Sequence, residues 1–427
     1  MKKIAIIGLG YVGLPLAVEF GRKYHVVGFD INAARVAELN AGHDHTLETE
    51  DADLQSVLFQ KGPGSLKLTT KVNDILESQI YIVTVPTPID DFKRPDLRPL
   101  IKASETIGKV ISKGDIVIYE STVYPGATEE DCIPVIEKVS GLKFNVDFFA
   151  GYSPERINPG DKINTLTSIK KITSGSTPEI ADEVDALYNS ILKNGTHKAP
   201  TMKVAEAAKV IENAQRDLNI SFVNELALIF DRMGIDTNDV IDAAGTKWNF
   251  IKYRPGLVGG HCISVDPYYL AFKAEALGYY PDVIRSGRRV NDDMAHFVVD
   301  KVVKLMIRKG LKILGSKVLL LGVTFKENCP DIRNTKTVDI VGELQAFGCQ
   351  VDIFDPWASQ EEVHHEFGIK TMEKNADIYA KKYDGIILAV SHEQFAQIDY
   401  KRLMNGTDTV IFDIKGFLPR DIVDGRL

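Results

Sequence analysis

A chain of 427 residues, 44% hydrophobic and 26% charged, has the makeup of a soluble globular protein with two or three domains, each with ample core. Its formal charge of −8 argues against a nucleic-acid-binding face, so an anionic ligand must be met by individually placed Lys and Arg. No apolar run approaches the ~18 residues of a membrane helix, and the N-terminus does not read as a signal peptide. Cys132, Cys262, Cys329 and Cys349 are scattered, without C-x-x-C or a His cluster at metal spacing, which points to a reduced cytoplasm and no metal site.

The first element is the most informative. Lys3-Ile-Ala-Ile-Ile-Gly8-Leu-Gly10-Tyr11-Val12-Gly13-Leu-Pro places G-x-G-x-x-G directly after a short apolar run and before an amphipathic one. This is the order of a strand, a tight turn and a helix N-terminus. Gly8 permits the turn, Gly10 lets backbone approach a pyrophosphate, Gly13 allows close helix–strand packing, and the helix dipole favours the negative charge. The next run, His25-Val-Val-Gly-Phe-Asp30, reads as a parallel strand ending in a carboxylate. Such a carboxylate accepts from a ribose 2′-hydroxyl and repels a 2′-phosphate, so NAD is expected over NADP. Arg35 follows closely enough to stack on an adenine or contact the ribose.

Buried-strand runs then alternate with helical ones: Ile80–Val85, Asp115–Glu120 and Val146–Tyr152 each end in a loop rich in Pro, Thr, Ser or Gly. That alternation means a doubly wound parallel sheet, whose ligands lie beyond the carboxyl ends of its strands. Thr87, Thr122 and Gly151-Tyr-Ser-Pro-Glu155-Arg156 occupy such loops. From Lys203 to Gly234 neither Gly nor Pro interrupts one long helical run, and Gly234 is a plausible stop. A helix of that length links domains or forms a dimer interface. After Gly315 a second alternating series begins, with strands at 317–322, 349–355, 383–390 and 409–413. The fold expected is α/β, with two Rossmann-like doubly wound parallel sheets joined by a long central helix and a helical middle domain. The boundaries read as 1–200 for NAD binding, 201–312 for a central helical or dimerisation domain carrying the Cys loop, and 313–427 for nucleotide-sugar binding.

Lys209, Asn213 and Arg216 fall on one stripe of the long helix, at spacings of four and three. The plain alternative is a solvated polar face, yet their neighbours Ala205, Ala207, Ala208, Val210 and Ile211 are those of a closely packed helix. In Gly259-Gly260-His261-Cys262-Ile-Ser-Val-Asp266, paired glycines let backbone crowd a ligand and leave a thiol accessible, with Asp266 placed to orient a water or a lysine. A free cysteine is more often a small buried hydrophobe than a nucleophile. Adjacent His261 and Cys262 without a second pair do not make a metal site.

Together these motifs resemble the nucleotide-sugar 6-dehydrogenases, which act on UDP-glucose, UDP-N-acetylglucosamine and UDP-N-acetylmannosamine. The resemblance runs over nearly the whole chain, through Gly8-Leu-Gly10-Tyr-Val-Gly13, Val-Pro-Thr87-Pro, Ser-Thr122-Val-Tyr-Pro-Gly, Ser-Pro-Glu155-Arg156-Ile157-Asn-Pro-Gly, Ala-Lys209-Val-Ile-Glu-Asn213, Gly-Gly-His-Cys262-Ile-Ser-Val-Asp266, Gly322-Val-Thr-Phe325-Lys326 and Asp331-Ile-Arg333. It is greatest to the N-acetylglucosamine branch of Vi-antigen-type capsule pathways. It implies oxidation of a sugar C6 alcohol to a carboxylate, with two NAD and one water, through a thiohemiacetal and a thioester on Cys262. By the same resemblance Lys209 and Asn213 hold an oxyanion, and a thiol beside Lys209 is readily ionised. Glu155, Thr122 and Asp266 manage water and protons, and a homodimer is expected. Arg156, Ile157, Arg216, Phe250, Tyr253, Arg254, Gly259, Phe325, Lys326 and Lys415 match substrate-facing positions, while Arg333 lies near the cofactor. For Arg254 and Lys415 the alternative is a surface salt bridge.

Glucose-type enzymes of this kind carry a lysine before the aspartate that follows the cysteine. Here Val265 stands there, as in the N-acetylhexosamine branch, and Ser264 replaces a common proline. UDP-N-acetylglucosamine is therefore the expected substrate, with the galacto or manno epimer or UDP-glucose as alternatives. Two readings of other classes compete. A single-step Rossmann hydroxyacid dehydrogenase would make one NADH per turnover and be indifferent to Cys262. A nucleotide sensor would need the Lys209/Cys262 set broken, and it is intact.

Overall fold

The computed structural model describes residues 2–59, 64–90, 92–157, 165–260 and 262–427. Positions 158–160 of the Glu155 motif, and His261, lie outside them. The chain divides into two compact units, one of residues 1–212 with 268–279 and the other of residues 213–267 with 280–427. The middle segment is thus shared between the units.

In the first unit, β1 (Ile4–Ile7), α1 (Gly13–Gly21), β2 (His25–Phe29), α2 (Ala33–Asn40), α3 (Asp51–Leu58) and β3 (Ser65–Thr69) form the opening half-sheet. They are followed by β4 (Ile80–Val83), α4 (Arg98–Gly108), β5 (Ile116–Tyr119), α5 (Ile133–Ser140) and β6 (Phe149–Tyr152). All six strands are parallel, in the order β3-β2-β1-β4-β5-β6. The order reverses between β1 and β4, the place where a doubly wound sheet opens a crevice for a ligand. β1, β4 and β5 are buried along their whole length, as strands covered by helices on both faces must be. Sequence pattern located five of these strands; β3, whose Ser65-Leu-Lys-Leu-Thr69 alternates buried and outward positions, completes the sheet. A separate parallel pair, β7 (Lys171–Thr173) with β8 (Thr196–Lys198), flanks α6 (Pro178–Asn189).

The uninterrupted helix is α7 (Met202–Met233), and Gly234 ends it at φ 69°. Within the first unit its Glu206 accepts from the amides of Gly126 and Thr128, the latter at 3.0 Å, and so fixes the turn after β5. Burial pushes that carboxyl up to about 6. Three helices follow: α8 (Thr237–Ala244), α9 (Asp266–Ala276) and α10 (Asp282–Arg308). The second sheet comprises β9 (Lys317–Leu321), β10 (Gln350–Phe354), β11 (Gly385–Leu388), β12 (Val410–Asp413) and β13 (Gly425–Arg426), all parallel, in the order β10-β9-β11-β12-β13. α11 (Thr337–Ala346) and α12 (Gln360–Phe367) connect its strands, with a short α13 (Tyr400–Leu403) before β12.

The two sheets repeat one local device. Gly8 and Gly322 take φ of 100° and 96°, and each donates its amide to the last residue of the neighbouring strand, Phe29 or Phe354. Next comes an aspartate, Asp30 or Asp355, that accepts the following loop amide. The copies differ in what is left over. Asp355 is 2% exposed, and both oxygens are taken by the amides of Val323, Thr324, Trp357 and Ala358, with His392 on the second oxygen. These bonds hold its carboxyl at about 2, although burial opposes them. Asp30 remains part-exposed, with one amide on each oxygen, from Leu9 and Asn32 at 2.8 Å.

Candidate active site

The first unit presents its predicted residues along one edge of the six-stranded sheet. The glycine loop follows β1, Asp30 follows β2, Thr87 follows β4, Thr122 follows β5, and Glu155–Ile157 follow β6. Gly13 shows why the third glycine is needed: a Cβ there would lie 1.9 Å from the Gly8 carbonyl oxygen and 2.5 Å from the Thr84 hydroxyl. A Cβ on Gly10 would meet nothing within 4 Å. The loop is tight against the strand at Gly13 and open on the side of Gly10. α1 begins at Gly13 with no side-chain cap and no acid in its first turn, so its N-terminal amides are not claimed by the helix's own residues. The cradle, the uncompensated helix dipole and Asp30 fit a dinucleotide pyrophosphate and ribose.

Arg35 departs from the expectation. It is 7% exposed and commits Nη2 to Asp44 at 2.7 Å, Nη1 to Glu38 and Nε to the Leu9 carbonyl at 3.1 Å. It braces the glycine loop from behind instead of offering a free guanidinium face. Asp30 is then left as the group that meets a ribose, and kcat/KM should favour NAD over NADP, since juxtaposed like charges cost several kcal/mol. Asp30→Ser should narrow that ratio; comparable wild-type efficiency with both cofactors would remove the role.

Lys209 and Asn213 are 7% and 6% exposed, which excludes a solvated face. No hydrogen bond or ion pair to a described residue is recorded for the Lys209 ammonium. In the second unit, the Asn213 amide donates to Asp266 Oδ2 at 2.5 Å, and Asp266 is 2% exposed at the start of α9. The helix stripe and the cysteine loop are thereby joined through two predicted residues. Arg216, one turn further, is partly exposed. Cys262 is also partly exposed, in a turn whose carbonyl accepts from the amides of Val265 at 3.1 Å and Asp266 at 2.9 Å.

The paired glycines serve a neighbour, where a ligand was expected. A Cβ on Gly259 would lie 2.7 Å from the Asn334 carbonyl, and one on Gly260, at φ 86°, would press within 3.0 Å of the Phe325 ring. The Gly260 carbonyl accepts the buried Ser264 hydroxyl, which gives Ser264 a role in shaping the cysteine turn. Further back, Asn224 clamps Gly256 with two hydrogen bonds of 2.8 and 3.0 Å.

Gly259, Phe325 and Lys415 come together around a cavity of about 20 Å³ with Thr335 and Lys336. Lys415 sits where buried Asp413 accepts the amides of Lys415 and Leu418 at 2.9 and 2.6 Å. Lys326 lies in the loop after β9, in which Thr324 is tied to buried His392. Arg333 is held side-on by Asp331. Phe250 and Tyr253 lie in the segment after α8, exposed and partly exposed respectively. Arg254 takes its alternative, an exposed ion pair with Asp242 braced by Asn238. In the first unit, Arg156 pairs with Glu212 at 2.8 Å and donates to the Lys170 carbonyl. Ile157 packs on the core beside a cavity of about 280 Å³ that Leu47, Thr49 and Thr167 also line.

Sequence reasoning missed two charged groups behind Glu155. Glu155 accepts the amides of Arg156 and Ile157 at 2.6 and 2.7 Å, and its other oxygen meets the Lys171 ammonium at 3.2 Å. Lys171 is wholly buried and lies 2.7 Å from Glu120, itself 1% exposed. Glu120 closes the β5 strand motif, so its place at a carboxyl end was a usable signal; nothing in Ile169-Lys-Lys-Ile announces a buried lysine. Among the described residues no group of three or more His, Cys, Asp or Glu is placed to hold a metal ion, and no helix is long and apolar enough to cross a membrane.

Comparison with known proteins gives a consistent result along the chain. Models of the UDP-glucose/GDP-mannose dehydrogenase family match residues 2–192 (NAD binding domain), 203–293 (central domain) and 319–420 (UDP binding domain). The chain is 60% identical to a UDP-N-acetyl-D-glucosamine 6-dehydrogenase of Pseudomonas aeruginosa, covering 100% of this chain and 99% of the relative. It is 57% identical to an enzyme of the same name from Salmonella typhi, over 100% of this chain and 98% of that one. A UDP-D-ManNAc dehydrogenase structure from Pyrococcus horikoshii superposes with a TM-score of 0.88 at 30% identity, covering 99% and 98% of the two chains.

Proposed function

Because the chain belongs to the UDP-glucose/GDP-mannose dehydrogenase family and is an NAD-dependent UDP-sugar 6-dehydrogenase, we propose that its substrate is a UDP-N-acetylhexosamine, with UDP-N-acetylglucosamine preferred. The structural observation that carries the chemistry is the bond from Asn213 to Asp266, which joins the buried stripe of α7 to the turn that bears Cys262. The names of the two relatives over 55% identical support the sugar, and Val265, 2% exposed where glucose-type enzymes carry a lysine, supports the branch.

NAD, when bound at the glycine loop with Asp30 toward its ribose, supplies the hydride acceptor for both oxidations. The residues of this chain do the rest. The Lys209 ammonium and the Asn213 amide stabilise negative charge at the sugar C6 oxygen, and Lys209 is the acid–base candidate there. The Cys262 thiolate adds to the C6 aldehyde, because an aldehyde gives up a hydride only after a nucleophile has made it tetrahedral. Oxidation leaves a thioester, which water cleaves to the uronic acid as the thiolate departs. Glu155, Thr122 and Asp266 handle the water and its protons. Phe325, Lys326 and Lys415, with Arg156, Ile157, Arg216, Phe250, Tyr253 and Gly259, form the nucleotide-sugar contacts, and Arg333 stands near the cofactor; Arg254, paired with Asp242, is left out of that set. In domain terms, 1–200 binds NAD, 201–312 is the central helical part and 313–427 binds UDP.

The kcat/KM values for UDP-N-acetylglucosamine, UDP-N-acetylgalactosamine and UDP-glucose, under identical NAD, test the substrate. An amide-binding site leaves buried polar groups unpaired when it meets plain glucose, and such mismatches reach ~10⁴ in specificity. The C4 epimer should be rejected less strongly. Preference for UDP-glucose would overturn the branch assignment and leave the chemistry standing. We further read the protein as cytoplasmic, serving surface-polysaccharide synthesis, and as a homodimer. Phe222, Ile229 and Met233, at spacings of seven and four on α7, are 59%, 45% and 61% exposed, an apolar stripe that a second copy would cover.

A further inference from the structure

We propose that Glu120 and Lys171, with Tyr188, are positioning residues that govern how far Glu155 is free to act as the base for hydrolysis of the Cys262 thioester, an inference that rests on the covalent route above. The three donors of the Lys171 ammonium are all engaged: Glu120 Oε2 at 2.7 Å, the Pro154 carbonyl at 3.1 Å and Glu155 Oε2 at 3.2 Å. The other Glu120 oxygen accepts the hydroxyl of Tyr188, a fully buried residue whose ring the ammonium approaches to 5.4 Å. Every packed element contributes one titratable group: Glu120 from the end of β5, Glu155 from the segment after β6, Lys171 from β7 and Tyr188 from α6. The nearby Arg156 guanidinium is turned to Glu212 and the Lys170 carbonyl.

Two acids therefore share one buried cation, with Glu120 sealed from solvent and Glu155 slightly exposed, and a single lysine cannot compensate both. Glu155 has the better claim to the negative charge, because two backbone amides already donate to it. Among the described residues Glu120 has only the tyrosine and the lysine, and burial pushes it up to about 7. The proton that balances the triad accordingly sits on Glu120 and leaves near neutrality. Once Glu120 is anionic it competes with Glu155 for the Lys171 ammonium, and Glu155 is less tightly ion-paired. In the hydrolytic step Glu155 takes a proton from water, the water oxygen bonds to the thioester carbon, and the C–S bond breaks with sulfur leaving as thiolate. A Glu155 carboxylate less committed to Lys171 is freer to take that proton, and the step is faster.

The test measures the acyl adduct on Cys262 by quenched-flow mass spectrometry across pH, with infrared spectra of the substrate-free protein. Wild type should show hydrolysis rising through an inflection near 7, and a protonated-carboxyl band lost over the same range. Glu120→Gln should remove both and hold hydrolysis on the slow plateau, about tenfold down, against the 10²–10⁴-fold expected for losing a general base. Tyr188→Phe, which takes a hydrogen bond from the Glu120 anion, should shift the inflection upward, and Lys171→Arg should retain it. If Glu120→Gln does not fold, the Tyr188→Phe shift decides. An unchanged inflection in folded Glu120→Gln or Tyr188→Phe, or no band titrating near 7, would overturn the proposal. Failure of wild type to form any Cys262 adduct would overturn the covalent route itself, a different result from adducts that hydrolyse with a flat profile.

Discussion

Cys262→Ser is expected to lose steady-state production of the uronic acid. Cys262 is partly exposed in a turn held by the Val265 and Asp266 amides, and the Ser264 hydroxyl and the fit of Gly259 and Gly260 against Asn334 and Phe325 set that turn's shape. A serine preserves the turn, because it adds no bulk, and removes the thiolate. A hydroxyl is a poor nucleophile without a base to ionise it, and the ester it forms hydrolyses more slowly than a thioester. The outcome should be absence of turnover or a trapped ester on residue 262, visible as a mass increment. Near-wild-type formation of two NADH per sugar would sink the covalent mechanism and favour single-step chemistry.

Lys209→Ala should lower kcat by ~10²–10³, as losing one oxyanion donor does, with little change in NAD affinity. Lys209 is 7% exposed and its ammonium has no hydrogen-bond or ion-pair partner among the described residues, although a buried charge is costly unless something compensates it. The group it compensates is, on this reading, charge that develops on the substrate. Steady-state kinetics with NAD titrated separately checks the split. A loss confined to NAD binding would move Lys209 into the cofactor site.

Much of this molecule could be read from linear order. The strands β1, β2, β4, β5 and β6 and, in the second sheet, β9 to β12 lie in short apolar runs that end in loop residues, a mark that a buried parallel sheet leaves directly, whereas the two-residue β13, Gly425–Arg426, left none. The extent of α7 followed from the absence of Gly and Pro up to Gly234. Other features left weaker marks. β3 lies at the sheet edge and carries the exposed Lys67 and partly exposed Ser65 among buried residues, which breaks the apolar run. Arg35 looked available because sequence shows only its distance from Asp30, whereas Asp44 and the Leu9 carbonyl claim it in space. Arg254 went the same way, to Asp242.

What the sequence by itself determined is whatever depends on neighbours in the chain. Gly8, Gly10 and Gly13 mark a phosphate loop because a tight turn, an open approach and a close contact fall on successive positions of one strand–helix junction. Lys209 and Asn213 share a stripe because a helix repeats every 3.6 residues. Only the tertiary structure decided which groups lose their water and which partners they then find. Glu120 and Lys171 are 51 positions apart in the chain and make an ion pair of 2.7 Å in a site from which solvent is excluded. Asn213 and Asp266, 53 apart, come within 2.5 Å. Burial raises the cost of an uncompensated charge, and the partner that meets this cost is chosen by the packing of distant segments, which no local pattern encodes.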